Sequence, residues 1–237
     1  MVKHERGGDH HERDISLGST GDCVRAGLTR LLKISASTIW EAAEIIRKGG
    51  IVAYPTDTVY GLGCDPFNNE AVQRLFKAKE RAGGALPVLV ESLEEAMEIG
   101  QFDENATRLA RRHWPGPLTL VVPAKVRLPP QVTGSTDTVG LRVPRRGETI
   151  DLIKYSGGAL VGTSANIAGN PSTKSAEEVL KELESRIDIV LDGGLATLGV
   201  ESTIVKIDDG HVLILREKAI PREEIFNTLG LRPDRTL

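Results

Sequence analysis

The chain of 237 residues contains only two cysteines, two tryptophans and 4% aromatic residues. The cysteines, Cys23 and Cys64, are too few for a disulfide framework or for a cysteine-rich zinc site. No apolar run approaches the roughly 20 residues that a membrane-spanning helix needs, and the N-terminus lacks the apolar core of a secretory signal. The sequence therefore predicts a cytoplasmic, reducing environment and no membrane partner.

Motifs of the commonest nucleotide-binding and hydrolytic sites are also missing. The chain has no Gly-x-x-x-x-Gly-Lys-Ser/Thr phosphate loop and no Gly-x-Gly-x-x-Gly following a strand. It has neither a Gly-x-Ser-x-Gly elbow nor a His-Glu-x-x-His helix, so serine-hydrolase and zinc-protease sites have no support. The net charge of −3 argues against a general nucleic-acid binder, although a local basic patch stays compatible with it.

The composition divides the chain into one folded domain and two tails. Residues 1–33 are polar, charged and rich in glycine and histidine, without sustained periodicity, which predicts a disordered tail. The folded domain is predicted over residues 34–230, and a short C-terminal tail over 231–237. The histidines His4, His10 and His11 lack a second cluster of ligands, so no metal site is predicted.

Helix and strand signals alternate along the folded domain. Helices are predicted at 37–48, 69–81, 105–113, 149–155 and 175–185, with shorter ones after Ser92 and from Pro221. Strands are predicted at 51–55, 87–91, 118–123, 139–144, 159–163, 187–191, 203–207 and 211–216. Asp209-Gly210 is typical of a hairpin turn and requires antiparallel pairing. The pattern predicts an α/β domain with a mixed, twisted sheet and flanking helices.

The segment from Ile51 to Gly63 is the most informative part of the sequence. An apolar strand runs there into a loop that carries the polar residues Thr56, Asp57, Thr58 and Tyr60, and Gly61 and Gly63 allow close backbone approach or positive φ. Open α/β sheets bind ligands beyond the carboxyl ends of their strands. An ordinary turn or helix cap has the same composition, so the rest of the chain decides between a site and a turn.

Further polar residues cluster at the ends of other predicted elements. Lys79 and Arg81 precede the flexible Gly83-Gly84 and suit a triphosphate or carboxylate, although a solvated helix end has the same pattern. Short hydroxyl and amide side chains at Ser164 and Asn166 can hold phosphate oxygens or a ribose. The remaining candidates lie beside the later strands: Thr138, Arg142, Ser172, Ser202 and Arg216.

All of these candidate residues except Ser172 and Arg216 belong to six short motifs that follow one another in order: Tyr54-Pro-Thr-Asp-Thr-Val-Tyr-Gly-Leu-Gly63, Lys79-Glu-Arg81, Trp114-Pro-Gly-Pro-Leu-Thr119, Asp137-Thr-Val-Gly-Leu-Arg-Val-Pro144, Thr163-Ser-Ala-Asn166 and Gly199-Val-Glu-Ser-Thr-Ile204. In this order and spacing they resemble the YrdC/Sua family of threonylcarbamoyl-adenylate synthases. The resemblance covers about residues 37–217. It implies a YrdC-like twisted mixed sheet with flanking helices and a concave ligand surface.

The resemblance also implies a reaction. L-Threonine, bicarbonate and ATP give threonylcarbamoyl-AMP and pyrophosphate, the step that begins threonylcarbamoyladenosine modification of tRNA. The amine of threonine captures CO₂ as a carbamate, and the carbamate attacks the α-phosphorus of ATP. This chemistry needs anions to be aligned and shielded, not a potent protein nucleophile. Mg²⁺ is expected with ATP, held mainly by phosphates and waters.

The family's roles carry over to matching positions of this chain. The resemblance implies that Lys79 and Arg81 contact ATP phosphates and act in catalysis. It assigns the nucleotide further contacts at Thr138, Ser164, Asn166, Ser172 and Arg216. It assigns threonine to Thr58, Arg142 and Ser202, with Arg142 as the partner of the substrate carboxylate. Tyr60 and its neighbouring glycines are expected to shape the wall of the site.

The chain departs from the family pattern in one loop. The family has proline after Lys-x-Arg and a polar residue before a second proline, whereas this chain reads Ala82-Gly-Gly-Ala-Leu86 before Pro87. A changed ATP affinity or loop closure is expected. The departure keeps open a YrdC-like paralogue that binds nucleotide or RNA without forming the adenylate. Its RNA contact would be the basic patch at residues 108–112 with Arg145 and Arg146.

Two further alternatives have less support. The carbamoyl-adenylate module of hydrogenase maturation carries zinc-finger cysteines and extra domains that this sequence lacks. A purely structural interaction domain would leave the polar strand ends without a purpose. Because only about twenty residues follow Arg216, no extra C-terminal domain is expected. Gating of the site by such a domain would then be absent or supplied by another protein, and the later transfer to tRNA would depend on the modification machinery.

Overall fold

The computed structural model describes residues 28–231. The strands in this range are β1 (Arg30–Lys33), β2 (Val52–Pro55), β3 (Tyr60–Gly63), β4 (Val88–Val90), β5 (Leu118–Pro123), β6 (Thr138–Arg142), β7 (Ala159–Val161), β8 (Thr163–Ser164), β9 (Ile189–Asp192), β10 (Thr203–Asp208) and β11 (His211–Arg216). The helices are α1 (Ala36–Arg47), α2 (Asn69–Ala78), α3 (Leu93–Ile99), α4 (Glu104–His113), α5 (Pro130–Thr133), α6 (Gly147–Tyr155), α7 (Ala176–Leu183) and α8 (Arg222–Leu229).

The strands form two mixed sheets. The five-stranded sheet has the order β1-β9-β2-β3-β8, with β1, β9 and β2 parallel and the β2-β3-β8 pairs antiparallel. The six-stranded sheet has the order β11-β10-β5-β6-β4-β7 and alternates antiparallel and parallel pairs. The predicted α/β class with mixed pairing is thus confirmed, but the strands divide between two sheets where one was predicted.

The chain passes from one sheet to the other at Gly162, which separates β7 from β8. The prediction of one strand over 159–163 missed this change, because the sequence there is continuously apolar up to the glycine. A Cβ atom at Gly162 would overlap the side chain of Leu89 in β4. The close approach of these segments therefore requires glycine at the junction.

The hairpin of β2 and β3 contains a strand that the sequence analysis treated as a loop. Tyr54 pairs with Gly61 across the hairpin, and a Cβ atom at Gly61 would lie 2.7 Å from Cε2 of the buried Tyr54 ring. The φ angles of Gly61 and Gly63 are not positive. Two glycines in four residues are unusual in a strand interior, and here they make room for a ring instead of forming a turn.

The ends of the described range correct the predicted boundaries. Residues Arg30 to Lys33 form β1 and pair in parallel with Ile189 to Asp192, so they are part of the sheet and not of the predicted tail. Their burial pattern is mostly exposed, which explains why the apolar pattern did not reveal an edge strand. The rest of the predicted tails, residues 1–27 and 232–237, lie outside the described residues.

Other element boundaries agree closely with the predicted ones. β5 and β11 have the predicted limits, and Ser92 caps α3 by accepting from the backbone N–H of Glu95. Helix α2 ends at Ala78 and not at the predicted residue 81, because Glu80 adopts a φ of 52°. None of the helices between residues 28 and 231 is long and apolar enough to span a membrane.

Exchanging Gly63 for alanine tests the close packing between the sheets. A Cβ atom at this position would overlap the carbonyl oxygen of Val161, a backbone atom that cannot rotate away. We expect Gly63→Ala to lower the unfolding free energy by about 1–3 kcal/mol, as overpacked cores do. Urea denaturation measures this loss.

Gly147→Ala is the matched control for this substitution. Gly147 begins α6, and no atom of the other described residues would lie within 4 Å of a Cβ atom there, so an alanine side chain would not clash with them. Its unfolding free energy should stay within about 0.5 kcal/mol of the wild type. Equal stability of the two alanine variants would contradict the packing argument.

Candidate functional site

The main cavity is lined by residues of both sheets. Its volume of about 630 Å³ is typical of a small-molecule site. Tyr54, Thr58 and Ser164 come from the five-stranded sheet and its loops, whereas Thr119 and Arg142 come from the six-stranded sheet. Strands of both sheets therefore contribute to one cavity, where polar groups far apart in sequence meet.

The structure brings most of the predicted site residues to this cavity. The residues that line it are Thr58, Arg81, Thr138, Arg142, Ser164, Ser202 and Arg216. Lys79, Asn166 and Ser172 are not among its lining residues. Lys79 and Ser172 instead bond the lining residues Ser164 and Glu201, and Asn166 bonds the backbone of Ile167 and Asn170.

Buried hydroxyl groups form a directed chain in the loop between β2 and β3. The Thr56 hydroxyl donates to the carbonyl oxygen of Val59 at 2.7 Å and accepts from the backbone N–H of Thr58 at 3.0 Å. Its contact with the Thr58 hydroxyl at 2.8 Å must therefore have Thr58 as the donor, since a hydroxyl has one proton. The proton of Thr58 points to Thr56, and its oxygen is free to accept.

Arg142 is held beside this chain of hydroxyls, and only 6% of it is exposed. Its Nη1 donates to the Thr58 hydroxyl at 2.9 Å, its Nη2 to Asp57 Oδ1 at 2.6 Å, and its Nε to the carbonyl oxygen of Gly116 at 2.9 Å. Burial lowers the pKa of Arg142, and the carboxylate of Asp57 opposes that shift. The ion pair lets a buried guanidinium remain charged in the wall of the cavity.

Gly116 is required for this arrangement. A Cβ atom at this position would overlap the carbonyl oxygen of His113 at the end of α4. The segment that links α4 to β5 therefore runs close to the helix end and presents the Gly116 carbonyl to Arg142. The Trp-Pro-Gly-Pro motif thus contributes a backbone acceptor, which no side-chain pattern in the sequence reveals.

A second polar group lies where β10 begins. The Ser202 hydroxyl is 2.8 Å from that of Thr119 and accepts from Nη2 of Arg216 at 3.2 Å. Arg216 also donates from Nε to the carbonyl oxygen of Ser202 at 3.0 Å. The guanidinium of Arg216 and the hydroxyl of Ser202 are thus coupled, although the sequence analysis assigned them to different ligands.

Ser172 acts on the cavity through a carboxylate. Its hydroxyl donates to Oε1 of Glu201 at 2.6 Å, and Glu201 lines the cavity. This hydrogen bond lowers the pKa of Glu201 below its ordinary value, with help from Arg216 and Lys218. Glu201 is therefore an anion at neutral pH, next to the edge of the site.

Lys79 is buried beneath the segment that carries Ser164 and Asn166. Only 2% of Lys79 is exposed, and its ammonium donates to the carbonyl oxygens of Ser164 at 2.5 Å and Asn166 at 2.7 Å. Burial and the nearby Arg81 lower its pKa from 10.5 to about 8. The Asn166 side chain donates to the carbonyl oxygens of Ile167 and Asn170, while its Oδ1 has no hydrogen-bond partner in the range 28–231.

Arg81 holds the loop that departs from the family pattern. Its Nε donates to the carbonyl oxygen of Gly83 at 2.7 Å, and its Nη2 to that of Ala85 at 3.0 Å. Gly84 takes a φ of 91° between them, a conformation that favours glycine. The guanidinium also lies 5.6 Å from the centroid of the Phe76 ring. A phosphate in the cavity would compete with the loop carbonyls for Arg81.

The basic residues proposed for RNA contact only partly come together. Arg112, Arg145 and Arg146 line a second cavity of about 620 Å³. Arg108 instead donates to the carbonyl oxygen of Thr228 in α8. Glu148 and Glu224 line the same second cavity, so its charge is mixed.

Sequence reasoning did not select Asp57, Thr119 or Glu201 as site residues. Each lies inside one of the six sequence motifs, but no role was predicted for these positions. Membership in a motif is therefore the signal that could have identified them. Asp57 is buried and paired with Arg142, and Thr119 and Glu201 line the main cavity. Their contacts depend on the packing of distant strands.

Removing the Arg81 guanidinium should free the loop at residues 82–85. Arg81→Gln lacks the guanidinium that holds the carbonyl oxygens of Gly83 and Ala85, so we expect a non-specific protease to cleave this exposed loop at least about five-fold faster. Arg74→Gln is the control, because Arg74 lies on the preceding helix α2 and bonds Gly49 and Asp188 instead. Faster cleavage of the loop in both variants would contradict the assignment.

The pKa of Lys79 predicts a rise of stability with pH. Between about pH 8 and 10.5 the unfolded chain holds this proton while the folded chain has lost it, so the unfolding free energy increases with pH across this window. Lys79→Met lacks this contribution. The stability of the wild type relative to the variant should rise between about pH 7 and 10, by an amount on the order of 2 kcal/mol.

Urea denaturation of both proteins at the two pH values gives this difference. The titrations of other groups are shared by the two proteins and cancel in the comparison. A difference that does not change with pH would show that Lys79 keeps its ordinary pKa.

Comparisons with known proteins agree on one family. The family model described as Sua5/YciO/YrdC, telomere recombination, matches residues 44–218. The threonylcarbamoyl-AMP synthase of Pyrococcus abyssi is 40% identical over 191 residues, which cover 80% of this chain and 56% of the relative. That of Bacillus subtilis is 37% identical over 206 residues, covering 86% and 60%. The chain thus spans a little over half the length of these two relatives.

A shorter relative and a solved structure extend the comparison. The threonylcarbamoyl-AMP synthase of Thiobacillus denitrificans is 38% identical over 170 residues, covering 71% of this chain and 90% of the relative. The crystal structure of Pyrococcus abyssi Sua5 complexed with L-threonine superposes with a TM-score of 0.81 at 37% identity, covering 87% and 63% of the two chains. The sequence motifs, the two-sheet fold and these matches together show that the chain belongs to the Sua5/YciO/YrdC family.

Proposed function

We propose that the chain is an L-threonylcarbamoyladenylate synthase, a nucleotidyltransferase that forms threonylcarbamoyl-AMP and pyrophosphate from L-threonine, bicarbonate and ATP. The observation that carries the proposal is the main cavity, in which Thr58, Arg142 and Ser202 lie on the wall together with Arg81, Thr138, Ser164 and Arg216. A solved relative with the same fold is described as complexed with L-threonine. Relatives that this chain covers for most of their length are named threonylcarbamoyl-AMP synthases.

The reaction suits a site made of hydroxyls and guanidinium groups. Bicarbonate takes up a proton and releases water to give CO₂. The threonine amine adds to this CO₂ and loses a proton, which gives a carbamate, so one water is released overall. A carbamate oxygen then forms a bond to the α-phosphorus while the bond to pyrophosphate breaks. The substrates are anions, so the site must hold them close and compensate their repulsion. Arg81, Arg142 and Arg216 supply fixed positive charge along the cavity.

The residues divide into two groups in this proposal. Thr58, Arg142 and Ser202 hold threonine, and Arg81, Thr138, Ser164 and Arg216 hold ATP. Lys79, Asn166 and Ser172 support these residues from positions beside the cavity, since Lys79 bonds the carbonyl oxygens of Ser164 and Asn166. The direct contact of Lys79 with a phosphate stays a prediction, and it would require the ammonium to leave these carbonyls.

Mg²⁺ would enter with the triphosphate. Within residues 28–231, no group of three or more His, Cys, Asp or Glu side chains is placed to hold a metal ion. Asp137 and Glu201 are the carboxylates that line the main cavity in this range. An ion held mainly by phosphates and waters, in the usual manner of Mg²⁺, is compatible with so few protein ligands.

The alternative function is that of a paralogue that binds a nucleotide without making the adenylate. The observation that favours it is that Lys79 and Arg81, the residues assigned to phosphates, are both bonded to backbone carbonyls. The mixed charge of the second cavity offers limited support for RNA contact.

As a synthase, the protein would work in the cytoplasm and pass its product to the tRNA-modifying machinery.

Pyrophosphate release from ATP tests the proposal. We expect release to depend on both L-threonine and bicarbonate and to rise at least about ten-fold when both are present, because the carbamate is the attacking group. The threonylcarbamoyl-adenylate itself is identified by mass spectrometry. Pyrophosphate release that does not depend on L-threonine would exclude the synthase and favour the nucleotide-binding paralogue.

Variants then locate the activity in the cavity. Ser164→Ala and Lys79→Ala should each lower adenylate formation by at least about ten-fold, the usual cost of one lost contact to a charged group. Lys77→Ala, an exposed lysine in the last turn of α2, is the control and should retain activity. Full activity of both site variants would refute the site assignment.

A further inference from the structure

We propose that Asp57 is a positioning residue that fixes Arg142 and Thr58 and thereby determines how the amino-acid substrate is oriented. The inference rests on the proposed function, because it concerns the threonine end of the same site. Asp57 is not a lining residue of the main cavity, whereas Arg142 and Thr58 are. It lines the second cavity instead, so it acts on the substrate from behind the wall.

Asp57 limits Arg142 to one orientation. The guanidinium has five N–H groups, and three of them are taken by Asp57, Thr58 and Gly116. Two N–H groups remain, one on each terminal nitrogen. A carboxylate needs two donors for a bidentate contact. The pairing with Asp57 thus leaves Arg142 with the donors that a substrate carboxylate needs.

Asp57 is itself held by several hydrogen bonds. Its Oδ1 also accepts from the backbone N–H of Arg145 at 3.1 Å, and its carbonyl oxygen accepts from Leu198 at 2.9 Å. The carbonyl oxygen of Thr58 accepts from Gly199 at 2.8 Å. These bonds connect the loop to the segments after β6 and before β10, so the carboxylate is a fixed point against which Arg142 is aligned.

Stability alone is a weak explanation for this carboxylate. Buried ion pairs contribute little net stability, since desolvation offsets their attraction. Asp57 Oδ2 is buried and has no hydrogen-bond partner among residues 28–231. An unsatisfied carboxylate oxygen is a cost that a purely structural residue would avoid. Asp57 is 6% exposed. Keeping an incompletely satisfied charge here is explained by its effect on Arg142.

The directions of the hydrogen bonds then assign the two ends of the substrate. Arg142 offers N–H donors and therefore takes the carboxylate. The Thr58 hydroxyl donates its hydrogen bond to Thr56 and accepts one from Arg142. Its oxygen has one lone pair left, so Thr58 can only accept a hydrogen bond from a ligand. We therefore expect an N–H or O–H group of the amino acid, and not its carboxylate, at Thr58.

The test compares binding of L-threonine with binding of L-threoninol, which has a CH₂OH group in place of the carboxylate. For the wild type, calorimetry on the full chain should give a dissociation constant for threoninol at least about ten times that for threonine. The ratio below is the threoninol constant divided by the threonine constant. Asp57→Ala should weaken threonine binding by at least about ten-fold and bring the ratio of the two constants close to one. Asp57→Asn, whose amide oxygen can accept the same bonds, should restore the ratio to within about three-fold of the wild type.

A control and a second variant separate positioning from folding. Thr149→Val removes one buried hydrogen bond, to the carbonyl oxygen of Pro55 at the base of the same loop, and should lower the melting temperature without changing the ratio. Asp57→Glu keeps the charge but displaces the carboxylate by one methylene. Asp57→Glu should also reduce the ratio of the two dissociation constants. This variant replaces Asp57→Ala in the test if Asp57→Ala does not fold.

The outcomes distinguish this inference from the proposed function. If the wild type binds threonine and releases pyrophosphate but folded Asp57 variants keep the wild-type ratio, the positioning role is overturned and the synthase stands. A wild type that does not bind threonine overturns both. A reduced ratio in Asp57→Ala, with recovery in Asp57→Asn and no change in Thr149→Val, supports the positioning role.

Discussion

Tyr54 joins the two sheets, and the shape of the main cavity depends on this contact. Its buried ring fills the space beside Gly61 and Gly63 in the five-stranded sheet, and its hydroxyl donates to the carbonyl oxygen of Val161 in the six-stranded sheet at 2.7 Å. Burying a phenol hydroxyl without such a partner is costly, and burial raises the pKa of Tyr54 well above its ordinary value. Because Tyr54 also lines the cavity, one side chain both connects the sheets and forms part of the site.

The wall of the cavity is pre-organised by bonds among its own polar groups. Thr56, Thr58, Arg142 and Asp57 form one connected set, and Thr119, Ser202 and Arg216 form another. Groups that are already aligned lose little freedom when a ligand binds, which favours both affinity and electrostatic catalysis. Within the described part of the chain, the buried oxygens Asp57 Oδ2 and Asn166 Oδ1 have no hydrogen-bond partner. Two polar atoms beside the site are thus left unsatisfied there.

Features that depend on residues near each other in sequence were predicted correctly, whereas features that depend on distant strands were not. Local signals placed α1, β5, α4 and β11 to within one or two residues, since caps, apolar periodicity and hairpin turns act over a few positions. The same signals failed for β1, which is an exposed edge strand, and for β3, whose glycines resembled a turn. They also could not divide the strands between two sheets, because pairing depends on partners far away in the chain.

The sequence by itself determined the α/β class, the motif order and the residue types that a site for small anionic substrates needs. Those motifs sufficed to predict the family. Only the tertiary structure decided that Lys79 supports Ser164 and Asn166 from below, that Arg81 holds its own loop, and that Asp57 pairs with Arg142. The partners of that last pair are 85 residues apart. A hydrogen bond at such a separation forms only when the sheets pack. The type of a site residue can therefore be read from the sequence, whereas the orientation of its side chain and its hydrogen-bond partner cannot.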